Sequence, residues 1–280
     1  MLPNLLFAPT RFLFPYAFLI LFLSASSGSY AQRNNAQDSP YQLRRGLEIP
    51  LMSVSTAGSL ASVLLREQRS PLNAGELARL DASDVLALDR SAVDNYSDGA
   101  RMASDGLLVA SYAAPLALLA FEEARSDAGT LGLMLLEALL LNEALTGMTK
   151  ALVTRPRPYT YNTDLPADLR IDDDNTFSFF SGHTSHSATA AFFTARVISR
   201  YTDQPAVRTI AWVGAIVLPA ATGLMRYEAG KHFPTDVVVG YAIGASVGLL
   251  IPYLHKTRGD DEGEQGVQIV PYGLGVAVVF

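Results

Sequence analysis

Apolar and polar positions fall in long blocks along this chain. After a polar segment from 32 to 45, Leu47 to Leu65 carries scattered serines and predicts an amphipathic helix. Ser70 to Ala103 is polar and acid-rich, with weak helical periodicity. Gly106 to Phe121 is apolar between Asp105 and Glu122, and Ala128 to Thr149 is a Leu-rich helix. Helical patterning resumes at 184–200, 207–225 and 235–254. The pattern predicts an all-α helical bundle. Between the helices, residues 151–180 hold three prolines and three consecutive aspartates, a loop long enough to suggest function. The Val-rich tail from Val267 to Phe280 turns around Pro271 to Gly275, predicting a short β-hairpin.

The apolar helices, about 16 to 20 residues each, sit at the short edge of what crosses a bilayer. Their ends are charged, although Glu137, Asn142, Glu143 and Arg196 fall inside. A membrane-embedded bundle is the expectation, with a soluble bundle as the alternative. Ahead of them, Arg11 and the apolar run Phe12 to Leu23 precede Ser29-Tyr30-Ala31, a small-x-small pattern. This predicts a signal peptide over 1–31, against the competing reading of an uncleaved anchor. With the signal cleaved and 47–65 not crossing, 151–180 and 226–236 lie outside, and Arg125, Arg200, Arg208, Lys256 and Arg258 lie inside. If 47–65 crosses, that assignment inverts. The expected division is a signal peptide 1–31, an N-terminal region 32–103, a catalytic domain 104–256 and a tail 257–280.

Composition narrows the chemistry. The chain has 280 residues and no cysteine, which excludes thiolate catalysis, disulfides and Cys-ligated zinc. Its formal net charge of -6 argues against a nucleic-acid partner, so anion binding has to come from a local cation cluster. His183 and His186, at i and i+3, lack a third ligand of fitting spacing, so no metal is expected there. Asp172-Asp173-Asp174 reads as a solvated acidic run. Tyr159, Tyr161, Phe177, Phe179 and Phe180 flank the loop, either to contact a lipid tail or to pack it.

Three segments carry chemistry: Lys150 followed after six intervening residues by Arg157-Pro158, then Ser181-Gly182-His183, then Arg226, His232 and Asp236 at intervals of six and four. In order and spacing they resemble the type 2 phosphatidic acid phosphatase and vanadium haloperoxidase superfamily, with Phe180 where Pro is usual and Met225 where Ser is usual. The resemblance spans roughly 100–254 and lies closer to the lipid phosphatase branch. A phosphoryl group carries about two negative charges at neutral pH, and its transfer needs cations and oriented donors. Lys150, Arg157 and Arg226 supply three cations, Ser181 a hydroxyl, and Gly182 close backbone approach where a helix begins.

The resemblance implies that His232 is the nucleophile of a phosphohistidine, that Asp236 accepts its other ring N–H, and that His183 is the general acid. It implies a phosphatase for a phosphate monoester or pyrophosphate that uses no metal or cofactor. The substrate class is a phosphorylated lipid or isoprenoid, such as phosphatidate, phosphatidylglycerophosphate or undecaprenyl pyrophosphate. The expected location is the inner membrane with the site facing the periplasm, or the periplasm itself. A soluble exported acid phosphatase, a vanadate-dependent haloperoxidase and a non-catalytic binding protein are the alternatives.

Overall fold

The computed structural model describes residues 39–257 and two strands, 268–272 and 275–279. The expected signal peptide over 1–31 lies outside the described residues. Six long helices account for the apolar blocks: α1 (Arg45–Glu67), α2 (Asp98–Ala113), α3 (Ala128–Leu152), α4 (Gly182–Tyr201), α5 (Pro205–Glu228) and α6 (Pro234–Leu254). Pro205 and Pro234 open α5 and α6, where a missing N–H costs nothing and φ is already helical. The tail forms an antiparallel hairpin, with Gln268 opposite Val279 and Tyr272 opposite Gly275.

Helix α2 starts earlier than its apolar block. Ser97 caps it, its hydroxyl accepting from Ala100 N at 3.1 Å. The first two turns hold Asp98, Arg101, Ser104 and Asp105, too polar to show a buried stripe. The boundary drawn at 103/104 therefore falls inside a helix. Residues before it also join the bundle, because α1 packs along α3.

Helix α4 runs through the centre, packed chiefly on α6 and α5 and also on α2 and α3. Apart from His186, the buried side chains of its first half are small and partly polar: Thr184, Ser185, Ser187, Ala188, Thr189, Ala190 and Ala191. Neighbouring helices satisfy the hydroxyls. Ser187 meets Ser111 at 2.6 Å, and Thr189 donates to Gly244 O at 3.2 Å. Gly240, Gly244 and Gly248, one per helical turn, bring α6 against the α4 backbone. A Cβ at these positions would sit 2.5, 2.0 and 2.6 Å from the carbonyl oxygens of Ser181, Ser185 and Thr189. The contacts advance in step, so α4 and α6 are parallel and begin at the same end.

Apolar side chains cover the outside as well. Ile49, Val54, Leu60 and Leu64 of α1, Ile210, Val213, Ile216 and Val217 of α5, and Val238 of α6 are exposed. Five helical segments are long and apolar enough to cross a membrane: α1, 98–120, α3, α5 and α6. Central α4, shielded by the others, is the less apolar exception. Small polar residues inside and large apolar residues outside are the pattern of a membrane protein.

Replacing Gly244 with Ala should destabilise the folded protein by roughly 3 kcal/mol, because the added methyl meets backbone that cannot rotate away. Gly106→Ala is the control, since nothing lies within 4 Å of its Cβ position. Thermal denaturation in detergent reads both. A Gly244→Ala protein as stable as Gly106→Ala would show that α4 and α6 are not in backbone contact.

Candidate active site

The site lies where α3 and α5 end and α4 and α6 begin. Backbone bonds assemble it. Arg155 N donates to Thr176 O at 2.9 Å and Arg157 N to Asn175 O at 2.8 Å, zipping the two ends of the long loop together. Tyr159 N donates to Gly230 O at 3.1 Å, and Ser181 N to Asp236 O at 3.0 Å. Gly230 has φ +67, and a Cβ there would sit 2.0 Å from Asn95 O, so the turn after α5 requires glycine.

The expected cations converge. Lys150, in the last turn of α3, donates from Nζ to Phe177 O at 2.5 Å. A Cβ on Gly182 would lie 3.2 Å from Thr146 Cγ2 and 3.9 Å from Lys150 Cε, so the start of α4 lies against the end of α3. Buried Arg157 donates from Nε to Asp174 O and from Nη1 to Lys231 O, both at 2.8 Å, and pairs through Nη2 with the Asp174 carboxylate. Arg226, in the last turn of α5, reaches Ser104 Oγ from Nη1 at 3.3 Å. Ser181 is buried at the N-cap of α4, its hydroxyl 2.8 Å from Thr184 Oγ1.

His232 is buried at the centre of these groups. Its Nε2 lies 3.3 Å from Arg157 Nη1. A guanidinium can only donate, so Nε2 carries the lone pair and Nδ1 the proton. Burial holds the imidazole well below its ordinary pKa, and the Arg157, Lys150 and Arg226 charges push it the same way. The ring is therefore neutral at pH 7, with the lone pair of Nε2 directed among cations.

The expected hydrogen bond from His232 Nδ1 to Asp236 is not formed. The separation from Oδ2 is 3.6 Å, beyond hydrogen-bond range. Asp236 is occupied elsewhere. Oδ2 accepts from Ser178 Oγ at 2.5 Å and Phe233 N at 2.9 Å, and Oδ1 accepts from Arg155 Nη1 at 2.5 Å. Asp236 thus caps α6 and fixes the loop, and it faces the imidazole electrostatically.

His183 Nε2 lies 2.8 Å from Asp105 Oδ1, which orients the ring. His186 turns instead to Glu143 Oε2 at 3.0 Å, so the two histidines do not share a metal site. The acidic run is only partly solvated. Asp172 accepts from Tyr159 Oη at 2.7 Å and lies 3.6 Å from Lys231 Nζ, while Asp174 pairs with Arg157. The arginine and lysine charges hold the Asp174 carboxyl below its usual pKa although burial opposes this.

Part of the chain is similar to known proteins. Residues 131–260 match the model of the PAP2 superfamily. Over those residues the chain is similar to that superfamily. Decaprenylphosphoryl-5-phosphoribose phosphatase of Mycobacterium tuberculosis, in strains CDC 1551 / Oshkosh and ATCC 25618 / H37Rv, is 33% identical over 109 residues. Those residues are 39% of this chain and 52% of the relative, so the chain spans about half the length of the curated relatives it matches. A solved transmembrane PAP2 type phosphatidylglycerolphosphate phosphatase from Bacillus subtilis aligns over 90% of this chain and 98% of its own. Its TM-score is 0.41 and its identity 18%.

Sequence reasoning missed four groups around the PAP2 motifs: Arg155, Asp89, Asp105 and Asp174. Arg155 donates from Nη2 to Asp89 Oδ2 at 2.7 Å while holding Asp236 with Nη1. It also stacks 4.2 Å above the Phe233 ring. Asp89 accepts from Thr235 N at 3.0 Å and Thr235 Oγ1 at 2.7 Å, at the first turn of α6. Arg155 sits two residues from Arg157 in the same motif, which is the one signal that pointed to it. Asp89 and Asp105 stand alone in polar stretches and gave none, and Asp174 read as part of a solvated acidic run.

Both Asp89 and Asp236 are fully buried. Arg155→Met should therefore destabilise the protein by about 3–5 kcal/mol, the cost of stranding buried charge. Arg155→Lys should recover only part of it, because an ammonium cannot fork between two carboxylates. Denaturant titration in detergent checks both, and an Arg155→Met protein within 1 kcal/mol of wild type, about the worth of a surface ion pair, would refute the bridge.

Proposed function

We propose that this protein is a membrane-embedded phosphatase that removes phosphate from a phosphorylated lipid or isoprenoid through a phosphohistidine on His232. The observation that carries this reading is the neutral, buried imidazole whose unprotonated Nε2 lies among Arg157, Lys150 and Arg226. Nε2 attacks phosphorus, the three cations and the N–H groups opening α4 hold the equatorial oxygens, and the ester oxygen leaves. Burial and the Arg226 charge lower the His183 pKa to about 4. The ring, oriented by Asp105, therefore takes up its proton as the substrate's negative charge offsets that cation. It gives this proton to the leaving oxygen and then takes one from the water that hydrolyses the phosphohistidine. Asp236 opposes the imidazolium charge from 3.6 Å.

Two features support a lipid. A cavity of about 610 Å³ lies between α5 and α6, walled by Ala220, Leu224, Pro234, Val237, Val238 and Tyr241. The cavity opens between the exposed apolar faces of α5 and α6, and its lining residues Leu224 and Pro234 lie two positions along the chain from Arg226 and His232. The relatives of the PAP2 domain act, by their name, on a decaprenylphosphoryl compound.

Orientation follows from parity. If α1 crosses with the rest, residues 39–44 and the site lie on opposite faces. Cleavage after Ala31 would then leave 39–44 outside and the site inside, so the cleaved signal and an outward site exclude one another. We favour the outward, periplasmic site, with Arg44, Arg125, Arg200, Arg208 and Lys256 on the inner face.

His232→Ala should abolish turnover and any trapped phosphoenzyme, while initial rates should persist in excess EDTA because side chains supply the cations. A rate lost in EDTA while the protein stays folded and restored by a divalent ion, or phosphate trapped in His232→Ala, would overturn the mechanism. Ala220→Trp, which fills the cavity, should raise KM at least tenfold for a polyprenyl phosphate and leave a small soluble phosphate unaffected. Equal effects on both would remove the lipid assignment.

The native chain has no cysteine, so single cysteines report topology cleanly. In intact cells an impermeant maleimide should label exposed Asp173→Cys in the site loop and not exposed Asp203→Cys at the other end. The reverse pattern would put the site inside, and labelling of both would favour a soluble exported protein.

A further inference from the structure

Three buried ionisable groups meet at the end of the bundle away from His232: Glu48 in the first turn of α1, Glu137 in α3 and His255 just after α6. His255 Nε2 lies 3.1 Å from Glu137 Oε2 and 3.3 Å from Glu48 Oε1. All three prospective ligand atoms fall within 4.8 Å of one another. Glu137 and His255 are fully buried, and Glu48 is 8% exposed. Neither carboxylate oxygen of Glu137 has a hydrogen-bond partner, and nor does His255 Nε2.

We propose that Glu48, Glu137 and His255 form a binding site for one divalent transition-metal cation, Zn²⁺ or Mn²⁺, which clamps α1, α3 and the end of α6 together.

The donor set fits such an ion. His255 Nδ1 lies 2.8 Å from Ile251 O, where it can only donate. That bond selects the tautomer with a lone pair on Nε2, aimed at the carboxylates, in the way backbone carbonyls orient metal-ligating histidines. One nitrogen and two carboxylates suit Zn²⁺ or Mn²⁺ better than the all-oxygen preference of Ca²⁺ or Mg²⁺.

Charge points the same way. Two buried carboxylates carry two negative charges, and a dication neutralises both. Among the described residues His255 is the one side chain paired with either carboxylate. A protonated His255 would neutralise half and leave a net negative charge in a site of almost no exposure, which is costly. The backbone N–H of Arg44 donates to Glu48 Oε1 at 2.6 Å and turns that carboxylate inward. The Arg44 guanidinium donates to Lys256 O at 2.6 Å and does not neutralise the pair.

The site is independent of the phosphate chemistry, since none of its residues lies in the catalytic pocket. Untagged full-length protein, stripped with chelator in detergent, should take up about one Zn²⁺, Mn²⁺ or Co²⁺ per chain by elemental analysis. The metal should raise the melting temperature, and Co²⁺ should give a visible ligand-field spectrum. Glu137→Gln and His255→Gln should each weaken binding at least tenfold and remove the rise in melting temperature. Glu48→Gln, on the least buried ligand, serves if either folds poorly. His186→Gln should bind like wild type. Stripped wild-type protein that takes up no metal, or uptake lost in His186→Gln and kept in Glu137→Gln and Glu48→Gln, would overturn the site.

Discussion

The contact between α4 and α6 sets the rest of the molecule. Three glycines on one face of α6 let its backbone touch the carbonyls of Ser181, Ser185 and Thr189. Two parallel helices in contact start side by side, and the bond from Ser181 N to Asp236 O locks their first turns. The two helix N-termini therefore point into one pocket, and their dipoles make it favourable for an anion before any cation is placed. With methyls in place of these hydrogens the helices would separate, and Ser181 and His183 would no longer register with His232.

Buried charge is the second constraint. Arg157, with Lys150 and Arg226 beside it, crowds a pocket that excludes water, and each needs a partner while no phosphate is bound. Loop groups fill that role: Phe177 O for Lys150, and Lys231 O, Asp174 O and the Asp174 carboxylate for Arg157. Asp174 is the informative one. It places one negative charge on a guanidinium proposed to hold phosphate, so on that reading an arriving phosphate would exchange with a carboxylate rather than meet a bare cation. Asp174 remains partly exposed and sits on a loop, so it can yield without unfolding a helix. Arg155 has a different task. It spans Asp89 and Asp236 and ties the long loop to the first turn of α6.

Much of this was legible in the sequence because the helices are long and the motif residues are of distinctive types. All six helices follow from apolar blocks, and the eight residues singled out lie around one end of the bundle. Helix α2 begins earlier than its block because a cap and polar turns set its start, while periodicity reports only the buried stripe. Asp105 and Asp89 were missed for a similar reason. A carboxylate in a polar stretch looks solvated until folding sets it against a partner 78 or 146 residues away. The expected Asp236–His232 hydrogen bond rested on one-turn spacing alone. Spacing places the two side chains on one face, but it cannot tell that Ser178, Phe233 N and Arg155 reach the carboxylate first.

The two ends of the bundle carry opposite charge problems, and that asymmetry limits what each can do. At the end proposed to be catalytic the buried excess is positive, and backbone dipoles, loop carbonyls and a carboxylate on a loop balance it, an arrangement that an anionic substrate could replace. At the far end the buried excess is negative, and helix packing fixes it: Glu48, Glu137 and His255 come from three separate helical segments and none sits on a long loop. A charge held by loops can be exchanged on each turnover, whereas a charge held by packed helices cannot move without opening the bundle. The first arrangement suits a substrate that comes and goes. The second suits an ion that stays, and a resident cation there would hold α1 against α3 at the end opposite to where catalysis asks the loops to yield.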